Sequence, residues 1–108
     1  NILKYSNEYI VIGDKSYSEP ILFFDSKISN FKIYQPEAIN YEDIEKYLHS
    51  VDLLLIGTGS NTILPNEKLI RIMFDKKKGL EFMNTESACK THNLLLSENR
   101  SFSSILYP

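Results

Sequence analysis

The hydrophobic pattern of the chain centres on one short apolar run. Val51 to Ile56 reads VDLLLI, and it breaks at a polar loop with two glycines, Gly57 to Asn61. A helical pattern begins after Pro65. A buried strand, a glycine turn and a helix together predict the opening of a βαβ unit. Such a turn either holds a phosphate or another anion at the helix N-terminus or serves only as a tight connection, and the pattern allows both.

The second half of the chain alternates between helix and strand patterns. Apolar residues at helical spacing predict a helix from Asn66 to Lys78, with Gly79 as its stop. Leu80 to Met83 predicts a second buried strand. A cap with an acidic first turn predicts a helix from Thr85 to Glu98, and Phe102 to Leu106 predicts the last strand. Right-handed crossovers would make the strands parallel, so the pattern predicts a parallel β-α-β-α-β core without fixing its strand order.

The first half of the chain is β-like, with one helix after it. Apolar runs predict strands at Tyr9 to Ile12, Ser16 to Phe24 and around Ile28 to Tyr34, joined by turns as an antiparallel meander. Pro20 lies inside the second run, so that strand is an edge strand, is bulged, or starts after Pro20. Asn40 is a good N-cap for the first helix. These elements add an antiparallel layer to the parallel core and predict an α/β domain.

Length, charge and cysteine content narrow the class of protein. The 108 residues suit a single domain, 1–108, and the net charge of −2 gives no footprint for nucleic-acid binding. The single cysteine allows no intramolecular disulfide and no cysteine-rich zinc site. No apolar run approaches the roughly 20 residues of a membrane span, and no signal-peptide pattern is visible. We therefore expect a domain without a membrane span, a metal site or a nucleic-acid partner.

The glycine loop departs from the known nucleotide-binding patterns. A dinucleotide fingerprint needs a third glycine where this chain has Thr62, and an acidic ribose partner where it has Asn84. A Walker loop needs a Lys-Ser/Thr pair, which the loop lacks. We therefore expect no nucleotide cofactor. The remaining feature is a polar loop at the carboxyl end of a strand, where ligands of open α/β sheets bind.

Two side chains of the last helix carry potential chemistry. Cys89 lies in its first two turns, where a helix N-terminus can lower a thiol pKa, although a lone cysteine on an apolar face is more typical of a core. His92 follows at i+3 and fits either a partly buried, hydrogen-bonded residue or a general base. The acidic residues form no catalytic pair, so the sequence predicts no catalytic site.

Two segments resemble a known family. LLLIGTGSNTILP and LEFMNTESACKTHNLLLSENRSFSSILYP resemble the family that contains the mitochondrial complex I (NADH:ubiquinone oxidoreductase) assembly factor three and its bacterial and archaeal relatives, a domain of unknown function. The matching residues are Gly57, Thr58, Gly59, Met83, Thr85, Ala88, Cys89, Thr91, Asn93, Glu98 and Arg100. This chain has Asn84 where the family has Asp, Lys90 where it has Arg, and His92 where it has Tyr or Phe. The turn at Asn7-Glu8 lacks the customary glycines.

The resemblance implies a single three-layer α/β domain in which an antiparallel sheet packs beside the parallel core. It implies no established enzyme activity and no cofactor. Its implied partners are respiratory-chain subunits or assembly proteins, with peripheral membrane association, in mitochondria for a eukaryotic chain and in the cytoplasm for a prokaryotic one. The oligomeric state is not predicted.

Three hypotheses for function follow. The first is a non-catalytic protein-interaction module that acts in complex assembly. The second is a small-ligand or anion-binding domain that uses the loop from Gly57 to Asn61 and the helix N-termini. Its predicted pocket comprises Gly57, Thr58, Gly59, Asn61, Thr85, Cys89 and Asn93. The third is a thiol-dependent enzyme that uses Cys89.

Overall fold

A computed structural model describes residues 2–6 and 8–108, which form two sheets and three α-helices. The strands are β1 (Leu3–Ser6), β2 (Tyr9–Ile12), β3 (Lys15–Tyr17), β4 (Ile21–Phe24), β5 (Lys27–Asn30), β6 (Leu53–Thr58), β7 (Gly79–Met83) and β8 (Phe102–Tyr107). The helices are α1 (Tyr41–Ile44), α2 (Glu67–Asp75) and α3 (Thr85–Ser97), with short 3₁₀ turns at Pro36–Ala38 and Glu45–Tyr47. No helix within the described residues has the length and apolar character needed to cross a bilayer.

The larger sheet contains the predicted parallel core. Its strand order is β5-β4-β8-β6-β7, and β6 pairs in parallel with both β7 and β8. All six residues of β6 are buried, as expected for the central strand of a sheet with both faces covered. The parallel β-α-β-α-β prediction is therefore confirmed. The β4–β5 hairpin extends this sheet by pairing antiparallel to β8.

Two layers cover this sheet, one on each face, so the domain has three layers. One face is covered by α1 and α2, whose buried Ile44, Leu69 and Met73 meet alternate strand residues such as Leu54 and Ile56. The other face is covered by α3 together with the small antiparallel sheet β1-β2-β3. Because successive side chains of a strand point to opposite faces, the continuous apolar run of β6 serves both cores. The three-layer α/β fold implied by the resemblance is confirmed.

The first third of the chain differs from the predicted meander. The run Ser16 to Phe24 does not form one strand, because β3 ends at Tyr17, β4 starts directly after Pro20, and the two lie in different sheets. Proline has no N–H for a ladder, so a break at this point costs no hydrogen bond. The third predicted strand is only Lys27–Asn30, since Phe31 lies beyond it in coil. The short strand β1 was not predicted.

The first helix is short, and the second ends before the residue that its pattern predicted. The first, capped by Asn40, becomes a 3₁₀ turn after Ile44. The second ends at Asp75 rather than Lys78, because Lys77 takes a left-handed conformation (φ 58°) and the Lys78 N–H closes the helix on the Met73 carbonyl at 3.0 Å. This is a Schellman-type end, built without the expected glycine.

The turn between β1 and β2 places a non-glycine residue in an unfavourable conformation. Glu8 has φ 62°, in the left-handed region that glycine adopts at little cost. The other turn residue, Asn7, lies outside the described residues. Glu8 therefore carries a local conformational cost that a glycine at this position would avoid.

Candidate functional site

The carboxyl ends of the three parallel strands meet at one edge of the sheet. In the register of these strands, Thr58 of β6 lies beside Tyr107 of β8, and Gly57 lies beside Met83 of β7. Only Asn84 separates β7 from α3, and its side chain caps the helix by accepting a hydrogen bond from the Ser87 N–H at 2.9 Å. The short connection brings the first residue of α3, Thr85, over the ends of β6 and β8.

Thr85 joins three elements through one buried side chain. Its hydroxyl donates to the Tyr107 carbonyl at 2.5 Å and accepts from the Gly59 N–H at 2.7 Å. Its own N–H donates to the Gly59 carbonyl at 2.8 Å. We call Thr58, Gly59, Thr85 and Tyr107 the carboxyl-edge cluster. The cluster ties the glycine loop and the end of β8 to the start of α3.

Thr58 folds the loop that follows β6 back on itself. Its hydroxyl donates to the Asn61 carbonyl at 2.6 Å and accepts from the Ile63 N–H at 3.0 Å. Asn61 itself is exposed. Thr58 is buried, and these bonds give its hydroxyl partners inside the protein.

Both glycines of the loop are required for steric reasons. A Cβ atom on Gly57 would lie 2.9 Å from both the Ala88 Cβ and the Leu106 Cδ2 atoms, so a side chain there would push α3 away from the sheet. Gly59 has φ 96°, a conformation that L side chains rarely adopt. Close helix–strand packing and the turn therefore account for the Gly-Thr-Gly sequence.

This arrangement bears on the anion-binding hypothesis. An anion cradle needs free backbone N–H groups, whereas those of Gly59 and Ile63 are engaged by the hydroxyls of Thr85 and Thr58. An anion at these two groups would have to displace both hydroxyls. The geometry makes Gly57, Thr58, Gly59 and Thr85 a structural crosslink, and ligand binding by the loop stays a prediction.

Cys89 and Asn93, the other two residues of the predicted pocket, lie beside β1. The Asn93 side chain accepts from the Leu3 N–H at 2.9 Å and donates to the Leu3 carbonyl at 3.0 Å, which fixes β1 to α3. They line a cleft of about 330 Å³, whereas Thr58 lines a different one of about 420 Å³. The predicted residues therefore do not form one pocket, since Gly57, Gly59, Asn61 and Thr85 line neither of these two clefts.

Burial determines the chemistry of the single thiol. Cys89 is buried in the core beneath α3. Burial raises the pKa of its thiol to about 11, so about one molecule in ten thousand carries a thiolate at pH 7. These properties are those of a small core residue rather than a nucleophile.

We expect Cys89 to resist alkylation in the folded protein. Iodoacetamide at pH 8 should leave the native chain unmodified over hours but modify it within minutes in 6 M guanidinium, because the thiol is both buried and protonated. Intact-mass spectrometry measures the adduct. Rapid stoichiometric modification of the native chain would support the thiol-enzyme hypothesis instead.

His92 is more deeply buried than the sequence suggested. Its side chain is fully buried, with Nδ1 2.8 Å from the Ser104 hydroxyl oxygen of β8. The rings of Phe23 and Phe102 pack edge-on against it, with centroids at 4.6 and 5.1 Å. Burial lowers the pKa of His92 to about 4, so the ring is neutral at pH 7. The expectation of a hydrogen-bonded residue is confirmed.

Sequence reasoning missed Ser104 and the Tyr107 carbonyl as partners of these helix residues. Ser103 and Ser104 interrupt the apolar pattern of β8, yet both are fully buried. Buried hydroxyls require partners, so paired serines in a predicted core strand were the available signal. Ser103 finds its partner in the Tyr47 carbonyl at 2.8 Å.

Comparison with known proteins assigns the chain to a family. A family model described as a protein of unknown function (DUF498/DUF598) matches residues 2–107. The chain belongs to the DUF498/DUF598 family. This match confirms the resemblance found in the sequence, and it extends that resemblance to the first half of the chain.

Two curated proteins are similar to this DUF498/DUF598 chain at low identity. A "13 kDa major membrane protein" of Francisella tularensis subsp. holarctica is 28% identical over 106 residues, with 95% of this chain and 86% of the relative covered. The "NADH dehydrogenase [ubiquinone] 1 alpha subcomplex assembly factor 3" of Drosophila melanogaster is 28% identical over 110 residues. That match covers 97% of this chain but only 53% of the assembly factor, so the chain spans about half of that relative's length.

Solved structures share the fold. A crystal structure of a Bordetella parapertussis protein superimposes with a TM-score of 0.87 at 25% identity, covering 100% of this chain and 94% of that one. A Bordetella pertussis protein described as a Mth938-like domain gives a TM-score of 0.78 at 21% identity, covering 100% and 85%. The DUF498/DUF598 chain therefore has the Mth938-like fold.

Proposed function

We propose that this protein is a non-catalytic interaction module that assists assembly of a respiratory NADH dehydrogenase, and that it holds partner proteins at its β7 edge. The similarity to complex I assembly factors supports the assembly role. The observation that carries the contact site is the open edge of the larger sheet. No described strand pairs with the outer side of β7.

The surface beside this edge is apolar. Phe74 of α2 is 80% exposed, the largest exposed fraction among the large apolar side chains of the described residues. Together with neighbours from α2 and β7 it borders a groove of about 210 Å³, lined by Ile70, Met73, Phe74, Lys78, Leu80 and Phe82. Exposed aromatic residues beside an apolar groove are typical anchors of protein interfaces.

The charge at one end of the edge favours an acidic partner segment. Lys76, Lys77 and Lys78 immediately precede β7. Lys78 donates to the Val51 carbonyl at 2.7 Å, which holds it beside the start of β6, and the Lys76 ammonium lies 5.2 Å from the centre of the Tyr41 ring of α1. The proposed occupant is an extended partner segment that adds as a sixth strand, with apolar residues over the groove and acidic residues beside the lysines.

Replacing Phe74 by Ser tests the proposal. The tagged chain is expressed in its source cell, crosslinked and purified from solubilised native membranes, and subunits of the respiratory NADH dehydrogenase are quantified by mass spectrometry. The wild type should enrich these subunits over a tag-only control. Phe74→Ser should lower the enrichment about tenfold or more, because an anchoring aromatic side chain contributes about 2 kcal/mol or more to an interface.

Leu94→Ser provides the matched control. Leu94 is also exposed, at 55%, but lies on α3 in the opposite layer. This variant should retain wild-type enrichment. Recovery of no respiratory subunit would count against the assembly role, whereas equal losses in both variants would count against the β7 edge as the contact site.

A further inference from the structure

A second cleft, unrelated to the β7 edge, lies between the two sheets beneath α3. It has a volume of about 240 Å³. We call it the His92 cleft, and its lining residues come from both sheets and from α3: Leu3, Ile12, Phe23, Ile28, His92 and Leu96, with Ser26 beside them. None of these side chains is charged at neutral pH, and most are apolar.

One polar atom in this apolar region has no partner. The Nε2 atom of His92 is buried and has no hydrogen-bond partner among the described residues, whereas Nδ1 is engaged with Ser104. The two phenylalanine rings that pack against the imidazole fix its orientation. Buried polar atoms in native proteins are almost always hydrogen-bonded, to protein, water or ligand. The unpaired nitrogen therefore points to a group that the cleft receives.

The chemistry of the nitrogen defines the class of that group. A neutral imidazole offers one donor and one acceptor. If the Ser104 hydroxyl donates to Nδ1, then Nε2 carries the hydrogen and is a donor; if the hydroxyl accepts from Nδ1, then Nε2 is an acceptor. A hydroxyl group both donates and accepts, so it fits Nε2 in either tautomer. A charged group would lose its hydration among apolar side chains and would have no counter-ion there, so we expect the bound group to be uncharged.

We propose that the His92 cleft binds a small, uncharged, largely apolar molecule with one hydroxyl group, which bonds to Nε2 of His92 while its apolar part packs between the sheets. The size fits such a ligand, since a cavity of about 150 Å³ is enough for benzene. Leu96 and Ser26, which line the cleft, are exposed and form its mouth. The site goes beyond the proposed assembly role and is independent of it.

Titration with two matched probes tests the proposal. p-Cresol and p-xylene have nearly the same shape and differ by a hydroxyl in place of a methyl group. Binding to the full chain is followed by NMR, with the imidazole nitrogens labelled with ¹⁵N. p-Cresol should saturate the cleft, bind about tenfold more tightly than p-xylene after correction for their hydrophobicity, and shift the His92 Nε2 resonance.

Variants separate the hydrogen bond from the apolar contacts. His92→Phe should bind both probes equally, because the ring remains but the nitrogen is absent. Leu96→Trp, at the mouth, should abolish binding of both, and Leu94→Trp on the exposed side of α3 should bind like the wild type. If His92→Phe fails to fold, the ¹⁵N shift in the wild type and the Leu96→Trp variant still decide. Equal affinity of the probes, no binding, or an unchanged Nε2 resonance at saturation would each overturn the proposal.

Discussion

Replacing Thr85 by Val is expected to lower the free energy of unfolding by about 3 kcal/mol. Valine has nearly the shape of threonine, so the packing under α3 is preserved. It removes the hydroxyl that donates to the Tyr107 carbonyl and accepts from the Gly59 N–H. Thr85 is fully buried, so water cannot replace these bonds, and each unpaired buried group costs about 1–3 kcal/mol. Urea unfolding followed by circular dichroism measures the loss.

Thr85→Ser is the matched control for this substitution. Serine keeps the hydroxyl and loses one buried methyl group, which costs about 1 kcal/mol. The serine variant should therefore be clearly more stable than the valine variant, with the same dependence on urea concentration in both. A valine variant as stable as the serine variant would mean that the carboxyl-edge cluster does not hold the helix to the sheet.

The parallel core was predictable because its signals are local. The unbroken apolar run before Gly57 indicates a strand buried on both faces, and Asn84 marks the start of α3 as a cap. Carboxyl ends of parallel strands share one edge, so Thr58 and Thr85 were expected to be neighbours. In the structure the Thr85 hydroxyl bonds to Gly59, the residue after Thr58, whereas the Thr58 hydroxyl bonds to Asn61 and Ile63 within the loop.

The first third of the chain was harder to predict because its contacts are distant in sequence. β1 reads LKYS, an apolar–polar alternation of only four residues, which is the shortest length at which alternation indicates a strand. It is held by Asn93, whose side chain bonds to Leu3 across 90 positions of the chain. Similarly, β4 joins the larger sheet only because β8 offers it an edge. Local periodicity carries no information about either partner. The pattern therefore allowed a strand that starts after Pro20, but it could not choose between this and a bulged or edge strand that continues through it.

The same limit applied to the candidate sites. Asn93 has an amide side chain of the kind that can bind a ligand, but here it hydrogen-bonds to Leu3 and fixes β1 to α3. The surroundings of His92 are formed by Ser104, Phe23 and Phe102, which lie on other elements. A helix pattern shows which side chains face the sheet but not which strand residues they meet. The sequence predicts the position of the helix. That Nε2 of His92 lacks a hydrogen-bond partner follows only from how the neighbouring strands pack against it.

Stability should fall as the pH is lowered from 6.5 towards 4, because of His92. Its pKa is lowered from 6.5 to about 4 by burial. Between these values the unfolded chain binds a proton at this residue and the folded chain does not, so the free energy of unfolding decreases as pH falls. The contribution is fully present above pH 6.5 and is lost by about pH 4. A shift of this size corresponds to about 3 kcal/mol.

The His92→Phe variant isolates this contribution from other titrating groups. Phenylalanine suits the aromatic surroundings of Phe23 and Phe102. Urea unfolding at half-unit intervals from pH 7.5 to 4 should give the wild type a loss about 3 kcal/mol greater than that of the variant. The difference should grow steadily below pH 6.5 and level off near pH 4. Parallel pH profiles would show that the folded protein takes up the proton at His92 as readily as the unfolded chain, and hence that water reaches the ring.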